Sequence, residues 1–250
     1  LRQGRTEVGA HLIQVFERLR NISEDIERFR YVLTLYPEDA VAHYNLGVLF
    51  AGQGGYQEAV SEYQATLTIN PDDIKARNNL GNLLLRQKQA AAAIQQFEAL
   101  LALNPRYSQG YNNLGTAYVM LQDIQRASLA YQKAIKMDSS NVDAYYNLGR
   151  VYDDQGNYTK AIESYKKAIE LKPDDALAYN NMGAAYRKQG NYTQAIESYK
   201  KAIELKPDDA DAYNNLGNIY NDQGNYDKAI EMYEKAIESD PDYVDAYNNL

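Results

Sequence analysis

Apolar residues along 142–154 keep the spacing of a helix, with Tyr145, Leu148, Gly149 and Tyr152 three, one and three positions apart and charged residues between them. The stripe breaks at Gln155-Gly156-Asn157, where Gly suits the left-handed conformation that follows a helix end and Asn157 suits the cap of the next helix. A second stripe follows through Tyr158, Ala161, Ile162, Tyr165, Ala168 and Ile169, and Pro173-Asp174-Asp175 ends it and opens the next helix. The pattern predicts two antiparallel amphipathic helices joined by a tight turn.

That pair recurs. Leu46-Gly47, Leu80-Gly81, Leu114-Gly115, Leu148-Gly149, Met182-Gly183 and Leu216-Gly217 follow one another at 34 residues without an insertion, and Leu250 stands one further period on. Twelve residues after each Gly comes Ala59, Ala93, Ala127, Ala161, Ala195 or Ala229, and four later an aromatic: Tyr63, Phe97, Tyr131, Tyr165, Tyr199 or Tyr233. Pro71, Pro105, Pro173, Pro207 and Pro241 close five of the units, and Ser139 stands at that place in the third. Small residues where two helices cross and large rings beside them predict a stacked core, with most tyrosines packed inside it.

This array resembles the tetratricopeptide repeat family in period and signature. The resemblance implies an all-α fold, a right-handed superhelical α-solenoid of stacked antiparallel helix pairs, with the first helix of each pair lining a concave groove. It divides the chain into six repeats, 40–73, 74–107, 108–141, 142–175, 176–209 and 210–243, with 1–39 as a degenerate first repeat or N-terminal cap and 244–250 as the start of another. In the cap, Leu12, Phe16, Phe29 and Pro37 keep the frame while Ile13 and Asp25 replace its small residues. Elsewhere Arg77 replaces an aromatic residue or His43, and Lys88 and Gln122 replace the turn glycine seen at Gly54, Gly156, Gly190 and Gly224.

The sixth position of every first helix is asparagine: Asn45, Asn79, Asn113, Asn147, Asn181 and Asn215, with Asn249 in the fragment. Asparagine costs about 0.5–0.7 kcal/mol against alanine inside a helix, so its recurrence asks for a reason. One reason is a ladder of carboxamides that holds the backbone of an extended ligand, similar to the ladder in the superhelical domain of O-linked N-acetylglucosamine transferases. The other is hydrogen bonding between neighbouring repeats. The two-carboxylate clamp of chaperone-binding members is not expected, because Lys75 fits it but Asn stands wherever Arg is required. The groove wall of the C-terminal repeats instead mixes charges, with Arg150, Asp153, Asp154, Arg187, Lys188, Asp211 and Asp222, and Tyr146 beside Asn147. The expected ligand-binding set is therefore Asn45, Asn79, Asn113, Tyr146, Asn147, Arg150, Asn181, Arg187 and Asn215.

Charge narrows the partners. Residues 1–39 carry 6 basic and 7 acidic groups, residues 40–141 carry 8 and 7, and residues 142–250 carry 12 and 20, for a net charge of −8. An acidic C-terminal half disfavours nucleic acid, which binds clustered Lys and Arg. On the outer helices, Glu163 precedes Lys167 and Lys166 precedes Glu170 by four residues, a spacing that predicts surface ion pairs worth about 0.2–0.5 kcal/mol each.

No apolar run reaches the length of a membrane span, and residues 1–10 lack a signal-peptide pattern. There is no Cys, and His11 and His43 are the only histidines, neither with a repeated nucleophile or metal partner. Gly54-Gly55 lies in a helix turn and not in a phosphate loop after a strand. No cofactor or metal and no catalytic residue is expected. The sequence thus predicts a non-catalytic scaffold for a protein or peptide. Its alternatives are the substrate-recognition arm of a larger enzyme, such as a glycosyltransferase, and a structural protein that self-associates end to end.

Overall fold

The computed structural model describes residues 21–250. His11, Leu12, Ile13 and Phe16 lie outside the described residues. Helix α1 occupies 21–35 of the described chain. It is followed by α2 (Ala40–Gly52), α3 (Tyr56–Ile69), α4 (Ile74–Arg86), α5 (Ala90–Leu103), α6 (Ser108–Met120), α7 (Ile124–Met137) and α8 (Val142–Asp154). Then come α9 (Tyr158–Leu171), α10 (Ala176–Lys188), α11 (Tyr192–Leu205), α12 (Ala210–Asp222), α13 (Tyr226–Ser239) and α14 (Val244–Asn249). No strand occurs among the described residues. The fold is an all-α solenoid of antiparallel helix pairs.

The helices begin where side chains satisfy their free N–H groups. Asp73, Asn141, Asp175 and Asp209 each accept a hydrogen bond from the backbone N–H three residues on, at the starts of α4, α8, α10 and α12. Asn157 does the same for α9, accepting from Lys160 N–H at 3.3 Å. The first helices end in a turn that needs a left-handed residue, supplied by Gly54, Gly156, Gly190 and Gly224 at φ between 72° and 82°. Lys88 and Gln122 hold φ of 60° at the same place, so the turn keeps its shape where the glycine is missing.

The aromatic residue of each second helix packs into the glycine of its own first helix. A β-carbon on Gly47, Gly81, Gly149, Gly183 or Gly217 would lie 2.5–2.9 Å from the ring of Tyr63, Phe97, Tyr165, Tyr199 or Tyr233 respectively. These rings are at most 2% exposed. Ala59, Ala93, Ala161 and Ala195 are fully buried, as the need for small residues at the crossing predicts. In one core cluster Tyr165, Met182, Tyr199, Leu216 and Ile219 join successive repeats.

Tyr145 and Tyr152 are only half-buried, and Tyr226 is 64% exposed, so the core takes fewer of the tyrosines than the spacing suggests. The helix-surface pairs also differ from expectation. Lys167 joins Glu170 at 2.5 Å and Lys201 joins Glu204 at 2.7 Å, three residues apart, in place of Glu163–Lys167 and Lys166–Glu170. Three-residue partners are also neighbours on a helix surface.

Arg77 departs from its repeat for a reason visible in the turn before it: its Nη2 and Nε donate to the Pro71 carbonyl at 2.6 and 3.0 Å. His43, at the same position, contacts the Pro37 carbonyl at 3.1 Å and Glu62 at 2.6 Å, a packing role.

The chain forms two compact units, one ending at Leu121 and the other beginning at Gln122. The boundary falls inside the third repeat, between α6 and α7. In the first unit α2 to α6 each pack on the next helix, and in the second α7 to α14 do so. First helices also touch one another directly, α4 with α6, α8 with α10 and α10 with α12.

Candidate functional site

Asn79, Asn113, Asn181, Asn215 and Asn249 reach the preceding repeat through Nδ2. In the first unit, Asn79 Nδ2 donates to the hydroxyls of Tyr44 and Tyr63 at 3.4 and 3.3 Å. Asn113 Nδ2 donates to Asn78 Oδ1 at 3.1 Å, while its own Oδ1 accepts from Gln109 at 3.1 Å. Asn45 is half-buried on α2.

In the second unit, Asn181 donates to the Tyr146 hydroxyl at 2.7 Å, Asn215 to Asn180 Oδ1 at 3.3 Å and Asn249 to Asn214 Oδ1 at 2.9 Å. Asn147 is half-buried on α8. Partners 35 residues apart are one repeat and one position apart, so a 34-residue period places them side by side on adjacent first helices. That offset is the signal by which the sequence could have given Tyr44, Asn78, Asn180 and Asn214 as partners.

The other half of the carboxamide is differently placed in three of them. The Oδ1 atoms of Asn79, Asn181 and Asn215 accept no hydrogen bond within the described chain. Nor are they sealed in, because Asp153 Oδ1 is the one buried side-chain atom without a partner among the described residues. These acceptors, Asn79 in the first unit and Asn181 and Asn215 one repeat apart in the second, are therefore open to a donor from outside, and a backbone N–H is such a donor.

A cavity of about 290 Å³ lies beside this row in the first unit, lined by Val48, Ala51, Tyr63, Asn79, Asn82 and Arg86. Burial pushes the Tyr63 hydroxyl up to about 12, the hydrogen bond from Asn79 lowering it and Tyr44 raising it to a lesser degree. The phenol therefore stays protonated and can donate into the cavity at neutral pH. Asn82 and Arg86 are the functional candidates that periodicity overlooks, since Arg86 recurs as the same residue type in no other repeat and Asn82 only at Asn218.

In the second unit the corresponding surface is crossed by ion pairs. Lys188 Nζ donates to Asp153 Oδ2 at 2.6 Å, and Arg187 donates through Nε and Nη2 to Asp222 Oδ2 at 3.1 and 2.9 Å. Arg187 is thus tied to its neighbour and Arg150 is exposed, so the two arginines of the expected site stand in different states. Tyr146 packs its ring 6.0 Å from that of Tyr165. Burial raises its pKa, with Arg150 and then the Asn181 hydrogen bond opposing the shift. Among the described residues no cluster of His and carboxylates could hold a metal ion, and no helix is long and apolar enough to cross a membrane.

The model of the Cilia and flagella-associated protein 70 C-terminal domain, a family of tetratricopeptide repeats, matches residues 30–240. The chain belongs to the tetratricopeptide repeat family. Among solved structures it is similar to the MamA protein at 31% identity and a TM-score of 0.62, over 70% of this chain and 95% of that one. It is also similar to YrrB, described as a TPR protein with an unusual peptide-binding site, at 27% identity and a TM-score of 0.62, over 74% of this chain and 96% of that one. The C-terminal part of a TPR protein from Cytophaga hutchinsonii shares the fold at 22% identity and a TM-score of 0.73, over 92% and 95% of the two chains. No curated protein matches the sequence. Tetratricopeptide arrays are protein-interaction scaffolds, and the first-helix face carries the polar groups such a scaffold needs.

Proposed function

We propose that this chain is a non-catalytic scaffold that holds extended peptide segments of a partner protein along the first-helix asparagines within each unit. The observation that carries the reading is the division of labour within three of the carboxamides: Nδ2 ties Asn79, Asn181 and Asn215 to the preceding repeat, and Oδ1 is left to accept from a ligand. Fixing a carboxamide by its own donor orients the acceptor in advance, which lowers the ordering cost of binding. The peptide-binding site named for YrrB supports the same class of ligand here.

The test is selection from a phage-displayed library of random linear peptides, followed by binding of the selected peptide to variants. Asn79, Asn181 and Asn215 changed together to Ala lose three acceptors, each worth about 0.5–1.5 kcal/mol, so affinity should fall at least about tenfold. Tyr146→Phe removes the partner of the Asn181 donor but leaves Oδ1 in place. It should lower thermal stability slightly and leave binding within about twofold. A triple variant that binds as the parent does, or a loss in Tyr146→Phe as large as in the triple variant, would assign the row to repeat packing alone.

A further inference from the structure

The ion pairs of the second unit expose a gap in the first. Lys188 and Asp153 occupy the last position of one first helix and the next-to-last of the helix before it, 35 residues apart. Asp222 and Arg187 occupy the same two positions one repeat later, with the signs exchanged. In the first unit these positions are Arg86 and Ala51. Arg86 has the cation but no carboxylate opposite it, and it joins no ion pair among the described residues. Its contacts are the Tyr56 hydroxyl at 3.3 Å from Nη1 and the Tyr56 ring, 5.9 Å from the guanidinium carbon. Neither neutralises the charge.

The space left by the missing side chain is the cavity of about 290 Å³, whose wall includes Ala51 and Arg86 together with Asn79, Asn82 and the Tyr63 ring. Charge on the first helices of this unit has one sign, while Glu58 and Glu62 stand on α3 behind them and Glu62 is held by His43. Within α2, α4 and α6 the ionic residues are Lys75, Arg77 and Arg86, with no Asp or Glu, whereas α8, α10 and α12 hold five Asp. Lys75, Asn79, Asn82 and Arg86 are spaced by four, three and four residues and so share one face of α4. Cations stand at both ends of that face and carboxamides between them.

We infer that this cavity receives a carboxylate side chain, Asp or Glu, from an extended segment of a partner protein, which takes the place that Asp153 takes beside Lys188. The inference rests on the peptide-scaffold reading and adds the chemistry of one ligand residue to it. A guanidinium fixed against a tyrosine ring presents its remaining N–H donors to a carboxylate in a fork, while Asn82 supplies a further donor in the same wall. Long-range attraction from the cationic face favours the same ligand and weakens with salt.

The experiment measures fluorescence anisotropy of two fluorescein-labelled peptides, one of alternating Asp and Ser and one with Asn at every Asp, at low ionic strength. The parent chain should bind the Asp peptide at least about fivefold more tightly, a difference that closes as salt rises. Arg86→Ala should remove the preference. Ala51→Asp keeps the arginine but gives it an internal partner, and should weaken the Asp peptide about fivefold or more while leaving the melting temperature unchanged or higher. Asp153→Ala, in the second unit, should not reduce it.

Equal binding of both peptides, with Arg86→Ala without effect, overturns the acidic subsite and leaves the peptide scaffold standing. Undiminished Asp-peptide binding by a folded Ala51→Asp variant overturns it as well. Binding of neither peptide, even at high protein concentration, counts against both the subsite and the scaffold.

Discussion

At Gly149 a β-carbon would meet Tyr165 Cε1 at 2.7 Å, closer than side-chain carbons pack, and the ring is 1% exposed with little room to withdraw. Helix propensity favours Gly→Ala by about 0.8–1 kcal/mol, while overpacking costs about 1–3. Overpacking wins at this site, where the ring is nearly sealed, so Gly149→Ala should destabilise by up to about 2 kcal/mol in urea unfolding. Gly52 lies at the end of α2 with nothing within 4 Å of its β-carbon position, and Gly52→Ala should be neutral or slightly stabilising. Equal effects at the two glycines would show that helix propensity alone governs them. The tyrosine and glycine of each repeat were both plain in the sequence, but their direct fit was not. Periodicity shows that two positions recur, whereas contact depends on how the two helices cross.

The turns within helix pairs show what a repeat tolerates. Lys88 keeps φ of 60°, the conformation that Gly54, Gly156, Gly190 and Gly224 adopt in other repeats. Its N–H still donates to the Leu85 carbonyl at 2.9 Å, so the hydrogen bonds of the turn hold a side chain where none is favoured. A left-handed residue with a β-carbon is strained by about 1–2 kcal/mol, of which glycine recovers part after its larger unfolded-state entropy is counted. Lys88→Gly should therefore stabilise by about 0.5–1 kcal/mol, read from the urea midpoint at unchanged slope. A loss of stability would mean that the lysine stem contributes packing that outweighs the strain. The sequence marks Lys88 and Gln122 as departures, and the helices on either side decide that the backbone does not depart with them.

Across the whole molecule, the buried tyrosines tie stability to alkaline pH. Burial raises Tyr63 from 10.0 to about 12, and it raises Tyr165 and Tyr199 further. The folded chain thus holds phenolic protons that the unfolded chain releases near pH 10. Stability from these groups is complete below that pH and falls as pH rises through 12 and beyond, because the unfolded state then binds fewer protons. Tyrosinate absorbance followed together with circular dichroism should show a late group of tyrosines ionising as helix is lost. Ionisation of every tyrosine near pH 10 with helix content intact would contradict the burial. Repeat arrays open by segments, so the loss should follow the unit that holds each ring and need not be a single step.

The sequence by itself determined the helix pairs, their period, the small and large positions of the core and the recurring asparagine, because each is written in residue type at fixed spacing. Tertiary structure decided which atoms of those asparagines are used. Stacking sets adjacent first helices one position out of step, so Nδ2 of Asn181 reaches Tyr146, 35 residues earlier, and Oδ1 is left open. The same offset pairs Lys188 with Asp153 and sets Arg86 opposite Ala51 without a carboxylate. A linear pattern records the residues at both ends of such a pair, but only the stacking of helices brings the ends together.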